Sequence, residues 1–100
     1  MPARKYVKPD ETVGMHLTAA ERRAILRDVE FLDDDYEQPL RETPADQAIE
    51  FTLLDWDYLG GGLQIEAEAA GDPKRKKRLN GIFVRIERLL AAHYTDEEPE

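Results

Sequence analysis

His16 and His93 are the only side chains in this 100-residue sequence whose ordinary pKa lies near neutrality, so acid–base chemistry would have to begin with them. They stand far apart in sequence, and neither sits in a ligand motif with a second histidine. His93 continues an apolar stripe, which predicts a satisfied, partly buried histidine. Cysteine and serine do not occur, which excludes disulfides, thiolate metal sites and the commonest nucleophiles. The hydroxyls left are Thr12, Thr18, Thr43, Thr52, Thr95 and four tyrosines. Asp55 and Asp57 are two residues apart, about 200° around a helix, so they do not form a carboxylate pair on one face. Asp33-Asp34-Asp35-Tyr36-Glu37 offers hard oxygens for a cation but lacks the glycine and the spaced ligands of a calcium loop. Gly60-Gly61-Gly62 lacks both the Lys-Ser/Thr of a phosphate loop and the spacing of a dinucleotide fingerprint. No catalytic residue, metal set or cofactor is expected, and the sequence reads as that of a non-enzyme.

Charge is the pattern with more to say. From Asp28 to Asp57 eleven acids face Arg41 alone, a local charge of −10 within a chain of net −8. From Asp72 to Ala92 the sign reverses to +5, led by the run Lys74-Arg75-Lys76-Lys77-Arg78. Those cations fall in the first turn of a helix, where the macrodipole favours anions, and Lys74 and Arg78 repel at i and i+4. Local helix energetics therefore do not explain them. Either they form a solvated face, or they meet acids such as Asp33, Asp34 and Asp35 of their own chain or of another molecule, or they meet phosphate. No aromatic is interleaved with residues 74–81, so nucleic acid would bind weakly and without regard to sequence.

These residues need elements to hold them. Thr18-Ala19-Ala20-Glu21 is a capping box that starts a helix at Thr18. Ile25, Val29, Leu32 and Tyr36 then recur at i, i+4, i+7 and i+11, with Leu26 and Phe31 widening the stripe, which predicts an end near Asp34 or Asp35. Residues 36–47 carry Pro39 and Pro44 and read as a surface connection. Met15-His16-Leu17 and Ile49-Glu50-Phe51 both precede a threonine that starts a helix, and they are expected to be extended and to pair as a minimal ribbon. A second helix spans Thr52 to about Ala70. Its glycine triplet predicts a break or a close approach, and residues 63–69 also alternate as a strand would, although Ala and Glu favour helix. Asp72-Pro73 opens a third helix with Leu79, Ile82, Phe83, Ile86, Leu89 and Leu90 on one face. Gly71 keeps the link short, so the last two helices should form an antiparallel hairpin.

The expected fold is thus mainly α: a three-helix domain over residues 13–94, with a flexible tail at 1–12 and an acidic one at 95–100. No stretch approaches the roughly 18 apolar residues of a membrane span, and a cytoplasmic protein is expected. The function expected is a non-enzymatic interaction or regulatory module, its partner another protein or a second copy. Its surface would join the basic run at 74–78 to Tyr58, which a helix burying Trp56, Leu59 and Leu63 turns outward. An acidic mimic of nucleic acid is the alternative, and five clustered cations count against it.

Overall fold

A buried arginine organises the first half of the chain in the computed structural model, which describes residues 4–30 and 32–96. The described residues form helices α1 (Ala19–Asp28), α2 (Asp34–Glu42), α3 (Leu53–Ala69) and α4 (Pro73–Ala91). Four short strands accompany them: β1 (Lys5–Tyr6), β2 (Thr12–Met15), β3 (Ile49–Thr52) and β4 (His93–Tyr94). The domain is mainly α, with one helix more than the three expected.

The capping box forms as predicted. Thr18 Oγ1 accepts from Glu21 N at 3.1 Å, and a Glu21 carboxylate oxygen accepts from Thr18 N at 2.8 Å. α1 nevertheless ends at Asp28, because the chain turns extended at Val29 and restarts as α2 from Asp33. The correction has an electrostatic reason: Asp34, Asp35 and Glu37 would oppose the macrodipole at the end of α1 and complement it in the first turn of α2. The stripe survives the break, since Ile25, Val29, Leu32 and Tyr36 all reach the same core. The connection expected at 36–47 is therefore helical as far as Glu42, with Pro39 inside α2 and Leu40 buried behind it. Phe31 lies outside the described residues.

β2 and β3 pair antiparallel, Val13 opposite Phe51 and Met15 opposite Ile49. The ribbon exists as expected, but its first strand begins three residues before Met15, and Leu17 follows it fully buried. A second ribbon enlarges the domain beyond 13–94: β1 pairs parallel with β4, and Val7 is buried beside it. The segment 1–12, read as a tail, thus contributes a strand and a core residue. Thr95 and Asp96 are also placed, with Tyr6 Oη donating to Asp96 at 2.7 Å; residues 1–3 and 97–100 lie outside the described residues.

α3 begins at its predicted threonine cap and runs unbroken through the glycines, so residues 63–69 are helix. The triplet marks close approach. A β-carbon on Gly60 would stand 3.2 Å from Ile86 Cγ2, and one on Gly62 would stand 3.2 Å from Val29 Cγ1. α4 begins at its Asp72 cap and Pro73, and its Leu79, Ile82 and Ile86 close the core against Trp56, Leu59 and Leu63. α3 and α4 form the predicted hairpin.

Arg22 is only 6% exposed and has no carboxylate partner among the described residues. Its guanidinium donates instead to main-chain carbonyls: Leu17 at 3.1 Å, Pro44 at 3.2 Å, Gln47 at 3.0 Å, and Thr43. The segment 43–47 has no ladder of its own, and these bonds supply donors to three of its part-buried carbonyls. Arg85 makes a second tie, donating to Glu21 at 2.7 Å and to the His16 carbonyl, which fastens α4 to the start of α1.

Two predictions follow from this packing. Arg22→Met keeps the length of the stem and removes every donor, and should destabilise the protein by about 2–4 kcal/mol in urea unfolding. Gly61 has open space where a β-carbon would go. Gly61→Ala should therefore stabilise by about 0.5–1 kcal/mol, and Gly60→Ala should fall short of that because buried Ile86 must shift.

Candidate functional site

The residues singled out for charge do not come together as a unit. Asp33, Asp34 and Asp35 are exposed at the start of α2, and among the described residues no ion pair joins them to the basic run. Only Arg75 of that run is partly buried. Its Nε faces Asp28 Oδ2 at 3.4 Å, an ion pair without hydrogen-bond alignment. Asp28 itself is 6% exposed and also takes Arg27 Nε at 3.1 Å. The run therefore does meet the acidic stretch, at the end of α1 rather than at residues 33–37. Lys74, Lys76, Lys77 and Arg78 are exposed.

The histidines have structural partners. His93 Nδ1 lies 2.7 Å from the Leu89 carbonyl and is half-buried, while His16 is exposed with Nε2 3.0 Å from the Ala45 carbonyl. The described residues contain no group of three side chains able to hold a metal ion. No described helix is long and apolar enough to cross a membrane.

The unusual surface is on α3. Its core stripe is Leu53, Trp56, Leu59, Leu63 and Ala67, all buried. Its far side carries a second apolar stripe, Leu54, Tyr58 and Ile65, which are 64%, 53% and 65% exposed. With Gly61 these residues fall at i, i+4, i+7 and i+11, one face of a helix. Tyr58 is where the sequence places it. The rest of the stripe has the same spacing, and its exposure follows once the core face of α3 is known.

Beside the stripe a groove of about 330 Å³ runs between α3 and the segment after α1. Val29, Leu32, Tyr58 and Ile65 supply its apolar wall, and its charged lining is Glu30, Asp57 and Glu66, with no base. Tyr58 is held in place by stacking on Tyr36, with ring centroids 5.1 Å apart and planes at 16°. Tyr36 is fixed in turn by donating to Asp55 Oδ1 at 3.0 Å and by a tilted contact with Phe51. Partial burial, followed by the hydrogen bond to Asp55 and the charge of that carboxylate, pushes the Tyr36 phenol well above its usual range. Tyr58, in the wall of the groove, is thus held from behind by a second aromatic that is tied to the core.

No protein-family model, curated protein or solved structure matches this chain.

The Tyr36 shift gives a pH prediction. A raised phenol pKa means that the fold favours the neutral form. That contribution is complete below the ordinary tyrosine value of 10.0 and is lost as pH rises through the higher folded value. The hydrogen bond to Asp96 also raises the exposed Tyr6 phenol, so the alkaline absorbance titration is run in a Tyr6→Phe background: there one tyrosine should ionise only with unfolding, and Tyr36→Phe should remove that delayed step. A delayed step that persists in the double variant would contradict the assignment.

Proposed function

We propose that this protein is a non-enzymatic interaction module that docks a partner protein through the outward face of α3. One observation carries the reading: a helix already committed to the core on one side bears three large, well-exposed apolar side chains at helical spacing on the other. A helix that is apolar all round is normally buried all round, and contiguous apolar exposure marks an interface. The stacked Tyr36–Tyr58 pair adds a preorganised aromatic anchor, the residue type that dominates binding energy at such surfaces.

The exposed cations of the basic run sit on α4 rather than on the α3 face and are not part of the docking surface in this reading. Arg75 has an internal partner in Asp28, and the acids at 34, 35 and 37 serve the dipole of α2.

The test is a photoreactive amino acid placed at Ile65, with the same group at Val84, which is exposed on α4, as control. A discrete adduct is expected from position 65 only. Tyr58→Ala should lower its yield by about tenfold, the weight of one anchor residue. Reversing Lys76 and Lys77 to Glu, off that face, should not lower it. Equal labelling from 65 and 84, or labelling indifferent to Tyr58→Ala, would refute the docking face.

A further inference from the structure

We propose that the occupant of the α3 face is a cationic amphipathic helix of another protein. This rests on the docking reading above and adds the chemistry of the partner. The apolar residues Leu54, Tyr58 and Ile65, with Gly61 between them, form a straight seam, and a second helix can lay its own i, i+4, i+7 stripe along it. At Gly61 nothing stands within 4 Å of where a β-carbon would be, so the backbone of an incoming helix can come close there.

Charge selects the sign of the partner. α3 carries Asp55, Asp57, Glu66 and Glu68 and no base at all. At 100° per residue, Asp57 and Glu68 fall on one flank of the stripe and Asp55 and Glu66 on the other. Glu30, from across the groove, adds a third acid to its lining beside Asp57 and Glu66. A helix whose apolar stripe is bordered by Lys or Arg meets acids on both sides, whereas one bordered by Asp or Glu meets like charge.

The same pattern argues against a second copy. Packing α3 on α3 sets these acids against one another. Half of the chain's own Lys and Arg sit on α4, whose apolar residues Leu79, Ile82 and Ile86 are spent in its own core, so that helix of a copy offers charge without a matching stripe.

The experiment is amide NMR titration of the full chain, run beside light scattering, with two synthetic helical peptides. Both carry leucines at i, i+4, i+7 and i+11; one has lysine on the flanks and the other glutamate. The lysine peptide should shift the amides of Leu54, Tyr58, Gly61 and Ile65, bind at least about tenfold tighter than the glutamate peptide, and weaken as salt rises. Asp57→Lys combined with Glu66→Lys should reverse the preference. Ile65→Gln, a substitution at an exposed site that leaves the core intact, should weaken binding without moving the unfolding transition. If both peptides bind this face equally, the cationic occupant is overturned while the docking face stands. If neither binds it, the cationic helix is again overturned, and labelling from position 65 decides the docking face separately. If the free protein is a concentration-dependent dimer with these amides already covered, the occupant is a second copy and the proposal fails.

Discussion

The fold depends on how it satisfies main-chain carbonyls that no ladder reaches. Residues 43–47 link α2 to β3, and this segment contains Pro44, which has no N–H to offer. Arg22 answers by donating to Thr43, Pro44 and Gln47 at once and to Leu17 on the other side. A charge this deeply buried is tolerable only when its donors are used, and four carbonyl dipoles use them without a counter-ion. The consequence is long-range. Leu17 precedes the α1 cap, and Gln47 precedes β3, so one side chain sets where the first helix enters relative to where the ribbon begins. His16 reinforces the tie through Ala45, and Arg85 brings α4 to the same point through Glu21 and the His16 carbonyl.

With that corner fixed, the core is a matter of apolar faces. Trp56 is fully buried, packs edge-on against Phe51 and donates from its indole to the Val13 carbonyl at 2.8 Å, joining α3 to both strands of the ribbon. The glycines at 60 and 62 let Ile86 and Val29 lie against the α3 backbone itself. This explains why a helix tolerates three interior glycines at a cost of about 1 kcal/mol each: two of them admit core side chains that a methyl would hold off. Gly61 lacks that reason, and it is the one that faces outward.

What could be read from the sequence was whatever local chemistry decides. The Thr18 and Asp72 caps, the stripe from Leu79 to Leu90, the hairpin and the pairing of two short extended segments all rest on spacing and capping, and the structure contains them. What could not be read was decided by tertiary partners. The break after Asp28 keeps the i, i+4, i+7 stripe intact on both sides, so periodicity alone sees one helix where there are two. Pro39 usually signals a connection, yet α2 carries it because Leu40 is anchored in the core. Nothing local marks Arg22 as buried, since three of its four partners are carbonyls more than twenty residues away. The pairing of β1 with β4 joins residues nearly ninety positions apart. Of the exposed α3 stripe, Tyr58 was legible from its phase against Trp56; the positions of Leu54 and Ile65 needed the core face to be known first.

The acidity of the chain then takes on a structural meaning. An exposed apolar seam invites self-association, and the usual safeguard is charge placed where two copies would meet. On α3 the four charges are all negative and border the seam on both sides, so approach of a second copy brings like charges together just as apolar contact begins. A uniformly polar face would give the same protection at the cost of affinity for any partner. In the docking proposal, acids bordering an intact apolar stripe would oppose an identical surface and attract a cationic one, so one arrangement would serve both ends. The net charge of −8 would extend that preference beyond contact distance, where charge acts on the rate of encounter more than on final affinity.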